Sequence, residues 1–254
     1  MNINDFAKAN AVALYLGSYA NPQTGSTGNT GLSAQPGFQK AEKRIQAQVD
    51  VATAQLSSFG KLKSSLSELQ SVGQGLAGLA SATTPAAQKA AANQFVSAFN
   101  AAIDSAKAAA TVAGDAAATQ SALRSIKDLV HAVNANAATT GALQQLGINL
   151  GSNGKLALDS RSFEAAQKTD PAAVTRSLAV VGKQVADAST QELAMDGHLG
   201  LYLSALAQRS SILKSQQGML ASLGLYTRPN QGSSTGGSYD LGLAAYRKSL
   251  LSGW

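Results

Sequence analysis

Residues Lys40–Leu79 read KAEKRIQAQVDVATAQLSSFGKLKSSLSELQSVGQGLAGL, and their apolar side chains recur every three or four residues. The average spacing is slightly under the 3.5 residues that keep one seam of an α-helix facing a partner. Polar residues fill the positions between, so the pattern predicts one long helix with a solvated outer face. This helix either belongs to a bundle within the chain or forms a coiled-coil-like stalk that also contacts other subunits. The periodic positions are Ile45, Val49, Ala52, Leu56, Phe59, Leu62, Leu66, Leu69, Val72, Leu76 and Leu79.

The composition favours long packed helices over an enzyme fold. Of the 254 residues, 13% are charged and 5% are aromatic, while Ala, Ser, Gln, Gly and Leu are abundant. Small side chains let helix backbones approach closely, and ligand pockets usually rely on aromatic walls. The chain contains no cysteine, which excludes disulfides, thiol catalysis and Cys-based zinc sites.

The net charge of +6 raises the question of nucleic-acid binding, since clustered Lys and Arg release counterions from phosphates. The basic residues of this chain are mostly dispersed. The nearest cluster consists of Lys40, Lys43 and Arg44, and Glu42 lies inside it. We therefore predict that the chain does not bind nucleic acid.

Beyond the first helix, turn residues divide the chain into further helices. Pro85 suits the first position of a helix, and Asp170-Pro171 has the pattern of an N-cap followed by such a proline. The stretch Asn134–Gly141 is predicted to end the third helix, and Asp196-Gly197 is predicted to form a turn. The predicted helices are Ala86–Val112, Ala116–Ala137, Ser160–Gln167, one from Pro171 to about Ala194, and Leu199–Leu223.

A change of period marks the only predicted strands. Apolar residues alternate over positions 146–150 and again over positions 156–158. Asn153-Gly154 lies between these segments and suits the left-handed positions of a turn, so residues 146–158 are predicted to form a β-hairpin. Asp159 follows directly and is placed to cap the next helix.

Each end of the chain combines a short apolar segment with a flexible tether. The N-terminal part, residues 1–39, contains a predicted short helix, Ile3–Leu16, and a linker, Asn21–Gly37, rich in Gly, Ser, Thr, Asn and Pro. The C-terminal part, residues 224–254, contains the Gly/Ser tract Arg228–Ser238. An apolar segment follows this tract and carries Leu241, Leu243, Tyr246, Leu250, Leu251 and Trp254.

These patterns predict two stalk helices, within 40–80 and 196–223, that pair antiparallel. Residues 81–195 then form a head domain that carries the hairpin. No apolar run approaches the roughly 20 residues needed to cross a bilayer. The N-terminus lacks the features of a cleaved signal peptide, because Asp5 precedes Lys8 and the apolar stretch Ala11–Leu16 is short.

Several short motifs match catalytic patterns but lie in the wrong context. The GxGxxG match at residues 73–78 ends a helix and follows no strand, so it predicts no dinucleotide site. The GxSxG match at residues 232–236 lies in a low-complexity loop. His131 and His198 are the only histidines, and neither is flanked by carboxylates at metal-ligand spacing. No shared pocket of carboxylates is predicted, and we predict no catalytic residue, cofactor or metal site.

Four motifs resemble the flagellar filament-cap family, known as flagellar hook-associated protein 2. Gln55–Gln70 resembles the family's N-terminal stalk helix, and Phe95-Val-Ser-Ala-Phe-Asn100 is similar to its FVxxYN-type element. The turn Asp196-Gly197 before the last helix is a third similarity. The most specific one combines Leu146-Gly-Ile148, Asn153-Gly-Lys-Leu-Ala-Leu-Asp159 and Asp170-Pro-Ala-Ala-Val174. The resemblance covers about Ala41–Leu223.

The resemblance implies a helical stalk and a small α/β head that hold a ring-shaped oligomer on the tip of a growing flagellar filament. It also implies export through the flagellar type III channel without a cleaved signal, and it carries over no catalytic residue. One departure is clear. Family members usually carry β-rich outer domains between the first stalk helix and the FVxxYN-type element, whereas here only about Ala80–Ala92 fills that gap.

We therefore predict a mostly α-helical protein with a long antiparallel, coiled-coil-like stalk and a small helical head carrying one β-hairpin. The predicted function is that of an extracellular, self-assembling structural protein, like a minimal filament cap. A homopolymeric subunit of an extracellular fibre is the alternative, and a monomeric surface-binding accessory protein is the third hypothesis. The predicted partners are copies of the chain itself, with flagellin or hook-associated proteins in addition.

The predicted assembly surface consists of apolar residues from the two stalk helices. Some of them have to serve the pairing within the chain instead, and Leu62→Asp is predicted to abolish assembly. The residues are Ile45, Val49, Leu56, Phe59, Leu62, Leu66, Leu69, Leu203, Leu206, Leu213 and Leu220.

Overall fold

The computed structural model describes residues 36–80, 83–112, 116–134 and 136–226, which form seven helices and two short strands. The mostly helical prediction is confirmed. The segment Ile3–Leu16, nearly all of Asn21–Gly37, and the predicted tract and apolar segment after residue 227 lie outside the described residues. The elements are α1 (Pro36–Ala77), α2 (Pro85–Thr111), α3 (Ala116–Asn134), α4 (Ala137–Gln145), β1 (Ile148–Leu150), β2 (Leu156–Leu158), α5 (Ser160–Thr169), α6 (Pro171–Leu193) and α7 (His198–Tyr226).

Helices α1 and α7 pair antiparallel, as predicted for the stalk. Early in α1, the Gln46 side chain accepts a hydrogen bond from Gln217, which lies late in α7. Farther along α1, the ring of Phe59 contacts that of Tyr202 near the start of α7, with 4.4 Å between the ring centroids. The two helices therefore run in opposite directions along this contact.

The second half of α1 belongs to the main core rather than to the helix pair alone. Its leucines are fully buried among side chains of α2, α3 and α6, including Phe95 and Phe99. Burying a leucine side chain contributes about 1.5–3 kcal/mol, so this row anchors the long helix in the head. The buried leucines are Leu62, Leu66, Leu69 and Leu76.

Helices α1 and α6 cross at two glycines, Gly73 and Gly182. A Cβ atom added at Gly73 would lie 2.8 Å from the Gly182 carbonyl oxygen, and one at Gly182 would lie 2.6 Å from that of Gly73. Both distances are shorter than a real Cβ contact, so only glycine allows the two backbones to come this close. The GxGxxG match therefore reflects helix packing at Gly73, and it lies within a helix instead of after a strand.

The β-hairpin forms where the sequence predicts it. Strands β1 and β2 are antiparallel, with Ile148 opposite Leu158 and Leu150 opposite Leu156. Gly154 has a φ of 78°, a left-handed conformation that suits glycine in the turn. Asn100 of α2 fixes the hairpin to the helices, because its side chain donates to the Leu156 carbonyl and accepts from the Leu156 N–H, each at 2.8 Å.

Helix α4 was not predicted. The sequence pattern ends the third helix within Asn134–Gly141, whereas the structure ends α3 at Asn134 and begins a new helix at Ala137. Asn136 caps α4 because its side chain accepts a hydrogen bond from the Thr139 N–H at 2.8 Å. Gly147, with a φ of 66°, follows the helix and turns the chain into β1.

The predicted helix starts are confirmed by their capping geometry. Asp159 accepts hydrogen bonds from the backbone N–H groups of Arg161 and Ser162 at the start of α5. Asp170 accepts from the Ala173 N–H, and Pro171 occupies the first position of α6. Pro85 begins α2 in the same way, after the N-cap Thr84.

Candidate assembly surface

The eleven predicted assembly residues divide into two groups by burial. The structure buries six of them inside the single chain, namely Phe59, Leu62, Leu66, Leu69, Leu206 and Leu213. The other five stay partly exposed, namely Ile45, Val49, Leu56, Leu203 and Leu220. Only the second group keeps surface for another molecule. The role of these residues in assembly stays a prediction.

The contact between α1 and α7 contains a small apolar cluster of its own. Ala52 of α1 packs with Leu206 and Leu213 of α7, and all three are buried. Val49 and Leu56 cover the edges of this cluster. The partly exposed predicted residues near this cluster thus lie at the rim of a contact within the chain.

A second apolar surface lies on the other side of α7. Leu201, Ile212 and Met219 are exposed by 57%, 47% and 51%. At about 100° per residue, these three side chains fall within about 20° of one another around the helix axis. We call this surface the outer stripe, and it consists of Leu201, Ala205, Gln208, Ile212, Gln216 and Met219.

The outer stripe was missed in the sequence analysis because α7 carries two apolar faces. Leu199, Leu206 and Leu213 point into the chain, about 120° around the helix from the outer stripe. Because leucines lie on both faces of α7, the leucine spacing alone indicates only the inward seam. The missed signal was the spacing of eleven residues from Leu201 to Ile212.

Helices α3 and α6 and the turn before α7 border an open cavity of about 480 Å³. The sequence showed no obvious pocket shared by neighbouring carboxylates, whereas the structure places four acidic residues along this cavity. Helices α3 and α6 and this turn bring together acidic residues that lie far apart in the sequence. Both histidines lie among them. The ionisable residues lining the cavity are Asp128, His131, Asp187, Glu192, Asp196 and His198.

Glu192 is the buried acid of this cavity, with 4% of its surface exposed. Burial raises the pKa of Glu192 above its ordinary value, and the hydrogen bond with Asp128 and the negative charge of Asp128 act in the same direction. The Ser125 hydroxyl lowers the pKa of Glu192 by donating a hydrogen bond to its carboxylate at 2.9 Å, and the charge interaction with the nearby His198 lowers it too. The fold therefore favours the protonated form of Glu192.

Replacing Glu192 by glutamine is expected to stabilise the protein at pH 7–8 and to have little effect at pH 4. The folded state holds the Glu192 proton more tightly than the unfolded chain, so the wild type loses stability as the pH rises from the ordinary value of 4.5 through the raised pKa. Below that window both states are protonated, and glutamine offers no advantage. Calorimetry at pH 4, 6 and 8 measures this difference in stability. At pH 8 the Tm of Glu192→Gln is expected to exceed that of the wild type by about 2–4 °C, roughly 1 kcal/mol.

The matched control for this prediction is Asp187→Asn. Asp187 lines the same cavity, but its carboxylate is exposed. Asp187 forms a surface ion pair with Lys183 one turn earlier in α6, at 2.8 Å. Such pairs contribute about 0.3–0.5 kcal/mol, so Asp187→Asn is expected to lower Tm slightly at neutral pH. An equal gain from Glu192→Gln at pH 4 and pH 8 would contradict the proposed proton linkage.

Metal sites and membrane-spanning helices are both absent from the described residues. No three His, Asp or Glu side chains there lie close enough together to hold a metal ion, those of the cavity included. Within residues 36–80, 83–112, 116–134 and 136–226, no helix combines the length and the apolar character that crossing a bilayer requires.

An antiparallel helix pair that continues into a helical head with one β-hairpin defines a coiled-coil-type structural protein. Residues 83–228 match the family model described as flagellar hook-associated protein 2 C-terminus. This match spans more than half of the chain and runs from α2 through α7, so the chain belongs to the flagellar hook-associated protein 2 family. The family resemblance noted in the sequence is confirmed. No curated protein and no solved structure matches the chain.

Proposed function

We propose that the protein is an extracellular, self-assembling structural protein of the flagellum that acts as a minimal cap at a filament tip. The family match over residues 83–228 carries this proposal. Copies of the chain would form a ring at the tip, with flagellin or hook-associated proteins as further partners. The protein is proposed to act through packed surfaces, without catalysis and without a cofactor.

Helix α1 supports the proposal although it lies outside the family match. Its second half inserts Leu62, Leu66 and Leu69 into the core formed by the matched region. Its first half pairs with α7 through the cluster around Ala52. A long helix fixed at one end in a head and paired along the other agrees with the stalk that the resemblance implies.

The outer stripe supplies a physical basis for assembly. Large apolar side chains exposed in a row on one helix are unusual for a soluble monomer and mark interaction surfaces. A specific interface of ordinary size buries about 1,600 Å² in total, and apolar area contributes about 25 cal/mol per Å² before the cost of association is subtracted. Assembly is proposed to hide this surface.

A homopolymeric fibre is the second candidate, and one observation favours it. Helix α1 ends at Ala77 and α2 begins at Pro85, so the connection between them has no room for the outer domains that caps usually carry. Without those domains, a cap-like core that repeats helically would give a fibre instead of a closed ring.

Electron microscopy of the purified full-length protein, alone and with flagellin from the same cells, tests the proposal. We expect closed rings of uniform diameter, and gold-labelled protein at filament tips with faster elongation by added flagellin. Indefinite fibres without flagellin would support the second candidate. Single particles at every concentration, with no label at filament tips, would overturn both candidates and favour a monomeric accessory protein.

A further inference from the structure

We propose that the outer stripe of α7 binds the outer stripe of a second copy of this chain, with the two helices antiparallel and centred on Ile212. The inference deepens the self-association part of the proposed function and rests on it for its biological setting. It concerns one surface and one partner, and because such a two-fold pairing closes at two copies, a ring or a fibre needs a further contact besides this one.

The stripe is nearly symmetric about Ile212, which is the main reason for choosing a second copy as the partner. Gln208 and Gln216 each lie four positions from Ile212, on either side, and Ala205 and Met219 each lie seven positions away. In an antiparallel pair, Gln208 of one copy faces Gln216 of the other, where two amides can exchange hydrogen bonds. The small Ala205 faces the large Met219, so the two surfaces also fit in size.

The spacing of the stripe suits a straight helix pair. Leu201 and Ile212 are eleven positions apart, and in sequence the same interval leads from Ile212 to Leu223. An eleven-residue repeat has about 3.67 residues per turn, close to the 3.6 of a straight helix, so the stripe drifts by only about 20° over this interval, in the sense of a slight right-handed supercoil. From Leu201 to Met219 the stripe is about 27 Å long at 1.5 Å per residue.

The charge on α7 permits such self-pairing although the chain carries a net charge of +6. None of the six stripe positions carries a charged side chain. Helix α7 contains no Asp or Glu, and of its two basic residues Arg209 lies about 60° around the helix from Ile212, while Lys214 lies about 160° away on the opposite side. Two copies can therefore meet along this surface without placing like charges opposite each other.

No other apolar surface among the described residues offers an equally good partner for the stripe. The exposed large apolar residues outside α7 are Leu123, Val180 and Met195, and they lie on α3, on α6 and in the turn before α7. Helix α1 contributes none. The best matching surface on another copy is therefore its own outer stripe. Pairing of the stripes would join the α1–α7 pairs of the two copies into a layer of four helices.

Cross-linking of single-cysteine variants tests the arrangement directly, because the wild-type chain has no cysteine. The probe is a bismaleimide that spans about 8 Å, the distance between the axes of packed helices. Interfaces below about 1,200 Å² are usually weak, so the protein is used at a concentration of about 50 µM. Under these conditions Ile212→Cys is expected to give covalent dimers. Lys63→Cys, at an exposed position of α1, is the control and is expected to give about tenfold fewer.

The direction of pairing is tested with Gln208→Cys and Gln216→Cys. In the antiparallel pair, two copies of Gln208→Cys place their thiols about 12 Å apart along the axis, too far for the reagent. A mixture of the two variants is therefore expected to cross-link, whereas each alone is expected to link poorly. Efficient linking of each variant alone, with no covalent dimer that joins Gln208→Cys to Gln216→Cys in the mixture, would indicate parallel pairing and overturn the proposed arrangement.

Sedimentation velocity separates loss of pairing from loss of folding. Ile212→Glu places a charge at the centre of the stripe and is expected to weaken dimerisation at least about tenfold. Ser211→Glu adds the same charge at an exposed neighbour off the stripe and is expected to dimerise like the wild type. Equal dimerisation of both variants, with wild-type circular dichroism, would overturn the inference.

These outcomes are distinct from those that test the proposed function. Protein at filament tips together with no cross-link at Ile212→Cys would refute this surface and leave the cap proposal intact. Dimers linked through Ile212→Cys together with no protein at filament tips would refute the cap and retain the surface. A wild type that stays monomeric at about 50 µM would also overturn the inference.

Discussion

Replacing Leu62 by aspartate is expected to unfold the protein rather than only to prevent its assembly. Leu62 is fully buried in the main core, next to Phe59 and Leu66 on the same face of α1. The change removes the apolar packing of a leucine, which contributes about 2–5 kcal/mol, and places a carboxylate among the apolar side chains of the core. The total loss of about 5 kcal/mol or more equals the stability of many domains of this size.

Thermal and urea unfolding followed by circular dichroism measures this effect. Lys61→Asp is the matched control, since it introduces the same residue one position earlier at an exposed site of α1. We expect Lys61→Asp to change stability by less than about 0.5 kcal/mol. A folded Leu62→Asp variant with the unfolding midpoint of the wild type would contradict the burial of this position.

Because Leu62 is buried inside the chain, Leu62→Asp does not test assembly. Loss of assembly in that variant follows from loss of the fold, so it identifies no interface. Exposed positions of the outer stripe, such as Ile212, separate the two effects. The structure thus moves the useful substitutions from α1 to the far side of α7.

Gly182→Ala is expected to cost about 3 kcal/mol, a large effect for the addition of one methyl group. The new Cβ atom would overlap the Leu76 Cβ and lie 2.6 Å from the Gly73 carbonyl oxygen. These are atoms of a helix backbone and its first side-chain carbon, which cannot rotate away. The crossing of α1 and α6 would have to open, and overpacking of this kind costs about 1–3 kcal/mol or more.

Gly75→Ala provides the matched control on α1, two residues from the crossing. A Cβ atom at Gly75 meets nothing within 4 Å. Alanine in an exposed helix interior is favoured over glycine, so Gly75→Ala is expected to stabilise by about 0.5–1 kcal/mol. Urea midpoints that shift in opposite directions for the two variants would establish the close crossing, whereas stabilisation by both would refute it.

Features set by neighbouring residues were predicted from the sequence. The caps at Asp159 and Asp170 bond to N–H groups two or three positions away, so the residue types and their spacing suffice. The hairpin is equally local, since its strands are joined by a short turn at Gly154. Helix α4 was missed because Thr139, Thr140 and Gly141 lower its intrinsic propensity, and its burial against α6 comes from distant residues.

The sequence by itself determined that the chain is helical, where most helices begin, and that α1 carries a seam for a partner. Its motifs also determined the family. Only the tertiary structure decided which apolar residues are used inside the chain, because a periodic seam is the same whether an internal helix or another subunit covers it. Contacts between distant residues likewise decided the crossing at Gly73 and Gly182, the raised pKa of Glu192 and the outer stripe of α7.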